Sequence, residues 1–179
     1  LWLPDALYEK VGGALQRAYN ALPRSYLGVP ERKAGPFTPK RTGVFRINAF
    51  YRQLIGDTIP PLPDAQWLSI PPERLAAATN GEVFTDPLGQ FTKIRRILLQ
   101  GYPVSVRNAK LAMDLFAMAQ AGQYNFGRCM HRGDSIAARL ALNDFITHAL
   151  SAAYLLNNRY MPYYKWMYRG LTDLPDWKG

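Results

Sequence analysis

The residues best suited to bind a charged ligand lie in the stretch GQYNFGRCMHRGD, residues 122–134. Arg128 and Arg132 are four residues apart, so a helix through both would place two guanidinium groups on one face. Two such planar groups suit phosphate oxygens. The alternative is that these arginines pair with Asp134 or with the carbonyl groups at a helix end.

Three further polar side chains precede the arginines: Gln123, Tyr124 and Asn125. They lie between two alanine-rich segments that have helical periodicity. Burying such polar groups without partners would cost about 1–3 kcal/mol each. We therefore expect them either to bond one another at a helix junction or to line a cleft that holds a ligand, and all three are candidate binding residues.

A second group of cationic and aromatic residues opens the last predicted helix. Lys165 could contact a phosphate while the adjacent Tyr164 stacks on a base. The alternative is an aromatic corner of the core from which the lysine extends its ammonium group into solvent. Both residues are candidate nucleotide-binding residues.

Asp144 and His148 are one helical turn apart and could form an acid/base pair. A hydrogen-bonded pair inside a helical bundle is the favoured alternative. The sequence contains no GxGxxG, GxxxxGK[ST], HExxH or CxxC motif. With two histidines and one cysteine in the chain, the sequence predicts no metal site.

The segments around these residues have mostly helical periodicity, so the sequence predicts a mainly α fold in which a small α/β remnant precedes a helical bundle. In the remnant, strands are predicted at residues 1–3 and 43–47. A helix capped by Asp5 follows the first strand, and a brief helix capped by Asn48 follows the second. The proline- and glycine-rich, basic residues 24–42 predict a loop.

The proline-rich residues 57–72 are the best candidate boundary, so we predict domains at residues 1–60 and 61–179. In the second domain, Asp134 can cap a long helix whose apolar residues surround its axis, a pattern typical of a central bundle helix. Pro162 suits the first turn of a later helix. The helices predicted for this domain cover residues 72–79, 91–100, 104–122, 134–157 and a segment after Pro162.

Composition limits the class of protein. An apolar content of 48% indicates a globular core rather than disorder. The net charge of +9 is concentrated after residue 90, where twelve Lys and Arg stand against five Asp and no Glu. This favours anionic partners, although a solvated basic face is the simpler alternative. The single Cys129 excludes an internal disulfide and predicts a reducing, cytoplasmic setting, and no membrane-spanning run or signal peptide is visible.

Five segments together resemble one known pattern. They are NGEVFTDPLG at residues 80–89, GYP at 101–103, AQAGQYNFGRCMHRGD at 119–134, LLNNRYMPYYKW at 155–166 and LP at 174–175. This pattern resembles the helical domain of unknown function 4037 over residues 67–175. In that family the domain follows a nucleotidyltransferase-like domain of the polymerase-β and kanamycin-nucleotidyltransferase group, and the first 60 residues here are similar to the end of such a domain.

The resemblance implies the substrate-side helical domain of an enzyme that moves a nucleoside monophosphate from a nucleoside triphosphate to a hydroxyl of a small acceptor. Arg128, Arg132 and Lys165 would then neutralise phosphate charge, and Tyr124 and Tyr164 would stack on the base or hold the acceptor. The proton of the acceptor hydroxyl would pass to one of two candidate catalytic carboxylates, Asp134 or Asp144.

The resemblance also implies Mg²⁺ and ATP or another nucleoside triphosphate as cofactors of the parent protein. The carboxylates that hold the metal in that family are expected upstream of Leu1, in a nucleotidyltransferase domain that would be the partner of this chain. We therefore expect the chain itself to be inactive in nucleotide transfer. The alternative is a non-catalytic helical module that binds a nucleotide, a nucleic acid or a protein, and the oligomeric state is open.

Overall fold

The structure is a computed structural model that describes residues 1–30, 42–56 and 60–175. The greater part of the predicted basic loop at residues 24–42, and residues 57–59 of the predicted boundary, lie outside this description. Helices dominate, and the strands are two residues long, so the predicted mainly α class is confirmed. The strands are β1 (Trp2–Leu3), β2 (Ser25–Tyr26), β3 (Val29–Pro30) and β4 (Phe45–Arg46). The helices are α1 (Asp5–Asn20), α2 (Ile47–Ile55), α3 (Asp64–Ser69), α4 (Pro72–Thr79), α5 (Gln90–Leu99), α6 (Val104–Met118), α7 (Gly127–His131), α8 (Ser135–Leu156) and α9 (Tyr164–Leu171), and a π-helical segment (Ala119–Phe126) joins α6 to α7.

Contacts between Cα atoms divide the chain into two compact units. Unit 1 contains Leu1–Ile59 and Val83–Lys93, and unit 2 contains Pro60–Glu82 and Ile94–Gly179. The segment Val83–Lys93 therefore belongs to unit 1, whereas the boundary predicted from the sequence placed it with the helical bundle.

Unit 1 contains a parallel strand pair, β1 and β4, with Trp2 opposite Phe45 and Leu3 opposite Arg46. Parallel neighbours need a crossover connection, and α1 lies within the connection between these two strands. Both strands lie where the sequence predicts them. Beside this pair, the rings of Trp2, Phe50 and Phe91 contact one another with centroids 5.3 to 5.8 Å apart. Phe91 explains why its segment belongs to this unit.

The two helix caps predicted for unit 1 are wrong. The N-caps are Pro4 for α1 and Arg46 for α2, and neither makes a side-chain capping bond. Instead, the Asn48 amide donates to Asp5 Oδ2 at 2.9 Å. The two polar side chains thus bond each other across 43 residues of sequence and link the first turns of two helices, a pairing that local cap preferences do not reveal.

In unit 2, α6 and α8 form the most extensive helix pair. Asp114 of α6 contacts His148 of α8, and Gly122, in the π-helical segment that follows α6, lies against Phe145, which comes earlier in α8. Because the partners advance in opposite directions, the two helices are antiparallel. The π-helical segment and α7 continue α6 to the turn at which α8 begins.

The predicted position of α8 at the centre of a bundle is wrong for the part of the chain that the structure describes. Ile136 and Leu140 are 64% and 65% exposed, and the buried residues of α8 include the small Ala138 and Ala152. Small alanines face the packed side because α6 and the π-helical segment approach closely there. The larger apolar side chains left exposed on α8 are Ile136, Leu140, Leu142, Ile146 and Leu156.

At its other end, α8 packs on α9. Tyr154, Leu171 and Leu174 form a buried cluster, and the Tyr154 hydroxyl donates to the Met167 carbonyl at 2.8 Å. The helix α9 begins at Tyr164 with Tyr163 as its N-cap, so Pro162 precedes the helix instead of lying in its first turn. Among the described helices, none is both long enough and apolar enough to cross a bilayer.

The contact of Gly122 with Phe145 predicts a destabilising substitution. A Cβ atom at position 122 would lie 2.6 Å from the Phe145 ring, so we expect Gly122→Ala to lower the free energy of unfolding by about 1–3 kcal/mol through overpacking. Gly127→Ala is the matched control, because its Cβ would meet nothing within 4 Å and alanine favours helix. Urea denaturation measures both, and equal stabilities of the two variants would contradict the close approach.

Candidate functional site

The structure joins one of the predicted arginines to one of the predicted tyrosines. Tyr124 lies in the π-helical segment and Arg128 in α7, four residues later. The Arg128 guanidinium carbon is 4.6 Å from the centroid of the Tyr124 ring, and its Nη1 donates to the Tyr124 hydroxyl. Both side chains are exposed. The pair is thus a local contact between neighbours on one helix face.

The other candidates in this stretch are also exposed. Arg132 is the C-cap of α7, where the helix ends, and Gln123 and Asn125 lie in the π-helical segment. Asp134 is the N-cap of α8, and its Oδ1 accepts a hydrogen bond from the Ala137 amide at 2.9 Å. The predicted cap is therefore confirmed, while the proton-accepting role of Asp134 stays a prediction.

Tyr164 and Lys165 lie at the start of α9, away from Arg128 in sequence and exposed. The Lys165 ammonium is 5.8 Å from the centroid of the Tyr164 ring, and that ring packs on Tyr163 at 4.5 Å. The predicted lysine and aromatic ring therefore do lie next to each other. However, neither of the two cavities of unit 2 described below is lined by any of the predicted binding residues. These residues are Gln123, Tyr124, Asn125, Arg128, Arg132, Tyr164 and Lys165.

His148 has a closer partner than the one that its sequence spacing suggests. Its Nδ1 is 2.7 Å from Asp114 Oδ1, whereas its Nε2 is 3.5 Å from Asp144 Oδ1. Asp114 is buried, and the Asp144 side chain is 59% exposed. Sequence reasoning missed Asp114 because it is 34 residues from His148. The sequence signal that could have identified Asp114 as a partner is that it is the one charged residue in the second half of α6.

The smaller cavity of unit 2 has a volume of about 380 Å³ and reaches the buried Asp114. Lys110, one turn earlier on α6, lines it too. The Lys110 ammonium donates to the Leu68 carbonyl at 3.2 Å and lies 5.3 Å from the centroid of the Tyr102 ring. Burial lowers the pKa of Lys110, and the charge of Asp114 opposes that shift. The cavity is lined by Leu68, Pro72, Tyr102, Lys110, Met113, Asp114, Ser151, Tyr154, Leu155, Arg159 and Met161.

Tyr102 supplies a buried polar group to this cavity. The residue is 6% exposed, and its hydroxyl has no hydrogen-bond partner among the described residues. Burial raises the pKa of the Tyr102 hydroxyl, and the charges of Glu73 and Asp114 raise it further. The phenol is therefore neutral and keeps its proton for donation.

The larger cavity of unit 2 has a volume of about 730 Å³ and is lined by two arginines, Arg159 and Arg169. Neither guanidinium forms an ion pair with a carboxylate in the part of the chain that the structure describes. Arg169 packs 5.4 Å from the centroid of the Trp166 ring, and Tyr163 also lines the cavity. The remaining charged residues of its wall are Glu73 and Asp173.

The end of α8 places Arg159 between the two cavities. The amide of Asn158 donates to the Leu155 carbonyl and the amide of Arg159 to the Tyr154 carbonyl, which is the Schellman arrangement. Asn158 has a φ of 51°, the left-handed conformation that this arrangement requires. Its side-chain amide donates to the Gln100 carbonyl at 3.0 Å. The LLNNRY segment therefore directs Arg159 to a position where it lines both cavities.

These observations define a mainly helical protein. The described residues of its unit 2 form two adjoining cavities whose walls contain both cationic and anionic side chains. The family model described as "Domain of unknown function (DUF4037)" matches residues 67–167, more than half of the chain. The chain belongs to this family, as its sequence motifs indicated. Comparisons with curated proteins and with solved structures give no match.

The Asp114–His148 contact predicts that removing the His148 imidazole destabilises the protein more than neutralising the Asp144 carboxylate. Removing the imidazole with His148→Ala leaves a buried carboxylate without its partner, so we expect the free energy of unfolding to fall by about 1–3 kcal/mol. Asp144→Asn changes an exposed group at longer range, so the loss should stay below about 0.5 kcal/mol. Thermal or urea denaturation at neutral pH measures both, and a larger loss for Asp144→Asn would contradict the assignment of Asp114 as the main partner.

Proposed function

We propose that unit 2 binds a nucleotide in its larger cavity. The observation that carries this proposal is the pair of arginines, Arg159 and Arg169, which line a concave space of about 730 Å³ without a carboxylate partner among the described residues. Cavities of about 300–1,000 Å³ are usual for small-molecule ligands. An unpaired guanidinium in such a wall is available to bind phosphate oxygens with two parallel hydrogen bonds.

The aromatic residues of the same wall suit the other end of a nucleotide. Trp166 and Tyr163 line the cavity and are 54% and 53% exposed, so a base can stack on either ring. Glu73 and Asp173 can accept hydrogen bonds from ribose hydroxyls or from a base amino group. Because these two carboxylates offset the two arginines, the cavity favours a ligand with one anionic end over a uniform polyanion such as nucleic acid.

In the parent protein, this nucleotide would be the donor in a nucleotidyl transfer, which moves a nucleoside monophosphate from a triphosphate to a hydroxyl of a small molecule. Two features support this context. The chain belongs to the family of domain of unknown function 4037, and its sequence motifs resemble a helical domain that follows a nucleotidyltransferase-like domain. Unit 1 contains a parallel strand pair with α1 in the connection, as the end of an α/β domain would.

The resemblance implies a magnesium ion in the parent protein. In residues 1–30, 42–56 and 60–175, no group of three or more His, Cys, Asp or Glu side chains is placed to hold a metal ion. The function proposed for this chain is binding of the nucleotide, and it includes no step that depends on the metal.

Calorimetric titration with ATP tests the proposal. We expect Arg159→Gln with Arg169→Gln to weaken ATP binding at least tenfold, because two charge-assisted contacts of about 1.5–3 kcal/mol each are lost. The control Arg96→Gln with Arg139→Gln removes the same net charge from exposed positions outside the cavity. It should leave the affinity within about twofold at physiological salt, where distant charges are screened.

Two further titrations separate the alternatives. Arg128→Ala with Arg132→Ala tests the site predicted from the sequence, and loss of ATP binding in this variant alone would move the nucleotide from the cavity to that site. Titration with single-stranded DNA at about 50 and 200 mM salt tests the binding of nucleic acid, which would show a steep salt dependence. Binding of DNA that is tighter than that of ATP and strongly dependent on salt would contradict the proposal.

A further inference from the structure

The smaller cavity of unit 2 holds polar groups of opposite character that the nucleotide site does not use. On its wall, α6 presents the cationic Lys110 and the anionic Asp114 one helical turn apart, and Tyr102, whose buried hydroxyl has no partner among the described residues, lines the same space. We infer that this cavity is a separate binding site for a small zwitterion with an apolar body, of the chemical class of the apolar α-amino acids.

The anionic end of such a ligand would lie between Lys110 and Tyr102. The Lys110 ammonium donates one hydrogen bond to the Leu68 carbonyl and makes no ion pair within the described residues. Two of its three N–H donors therefore remain available to a ligand. The Tyr102 hydroxyl is buried without a partner. Buried polar groups nearly always have a hydrogen-bond partner, so a ligand carboxylate at Lys110 would draw the Tyr102 hydroxyl, which the surrounding protein covers, into a second hydrogen bond.

The cationic end would lie at Asp114. His148 Nδ1 lies within hydrogen-bond distance, 2.7 Å, of one oxygen of the Asp114 carboxylate, Oδ1. The other oxygen, Oδ2, has no hydrogen bond to any described residue, and the residue lines the cavity. A ligand ammonium at Oδ2 would bring a positive charge to a side chain that is 12% exposed, where charge-assisted hydrogen bonds are strong.

The geometry of α6 matches the distance between these two ends. Side chains one turn apart have Cβ atoms about 5–6 Å from each other, which leaves room for an ammonium and a carboxylate on one carbon atom to reach Asp114 and Lys110 together. Ser151 and Arg159 add polar groups elsewhere in the wall. The apolar body of the ligand would pack on the remaining side chains, which are Leu68, Pro72, Met113, Tyr154, Leu155 and Met161. Methionines adapt readily to the shape of a ligand.

Matched probes test this inference on the whole chain by calorimetry or by chemical-shift perturbation. L-Phenylalanine, L-leucine and L-methionine carry both charges, whereas 3-phenylpropanoate lacks the ammonium and 2-phenylethylamine lacks the carboxylate. We expect at least one of the amino acids to bind. For L-phenylalanine, each analogue should bind at least tenfold more weakly, since one charge-assisted contact is worth about 1.5–3 kcal/mol. Absence of binding by all three amino acids up to about 10 mM, or equal binding of the analogues, would overturn the inference.

Tyr102→Phe and Asp114→Asn identify the site. Because the Tyr102 hydroxyl has no partner in the described part of the chain, its removal should not lower the free energy of unfolding but should weaken amino-acid binding about fivefold or more. Asp114→Asn should also weaken binding. Tyr168→Phe, an exposed tyrosine that lines neither cavity, is the control. Unchanged affinity in Tyr102→Phe, or an equal loss in Tyr168→Phe, would place the ligand elsewhere.

The amino-acid experiment and the ATP experiment fail independently. Tyr102→Phe removes no residue of the larger cavity, so the affinity for ATP should stay the same. If ATP does not bind but the amino acid does, the nucleotide proposal falls and this inference stands. A loss of both ligands in Tyr102→Phe, with the stability unchanged, would show one continuous site and would overturn the assignment of two.

Discussion

The contact between Asp114 and His148 is the constraint on which the architecture of unit 2 depends. A carboxylate whose side chain is only 12% exposed needs a hydrogen-bonding partner, and the imidazole of α8 supplies it at 2.7 Å. This bond fixes which turn of α6 lies opposite which turn of α8. Shifting either helix by one turn would leave the carboxylate buried alone, so the pair selects one register where apolar packing alone would tolerate several.

The register set by this pair carries through to both cavities. It places Lys110 and Asp114 of α6 beside the second half of α8, where Tyr154 and Leu155 close the smaller cavity. Beyond that point, the Schellman turn at Asn158 ends α8 and releases the chain with Arg159 at the wall of the larger cavity. The Tyr160 hydroxyl then donates to the Leu98 carbonyl at 2.6 Å and anchors the segment that leads to α9. One partly buried ionisable pair and one helix end thus position Lys110, Asp114 and Arg159 at the cavity walls.

The sequence predicted what is local and missed what is distant. The helices at residues 72–79 and 134–157 and the Asp134 cap were predictable because helical periodicity and capping chemistry extend over only a few residues. The Arg128–Tyr124 contact is local too, at a spacing of four.

By contrast, the partners of Asp114 and Asp5 come from 34 and 43 residues away, and only tertiary packing brings them together. The same holds for the cavities, whose walls combine residues from several helices. Sequence spacing therefore pointed to His148 as a pairing residue but assigned it the nearer and more exposed Asp144. The roles predicted for the exposed residues of the 122–134 stretch stay predictions.

Arg159 borders both cavities, and this shared wall has a thermodynamic consequence. Whatever occupies one cavity changes the freedom and the electrostatic surroundings of a guanidinium that the occupant of the other also meets. Linkage requires that any such coupling be reciprocal: the factor by which the first ligand alters the affinity of the second equals the factor by which the second alters that of the first. A single side chain at a helix end can in this way couple ligand binding in two neighbouring cavities without any change in backbone conformation.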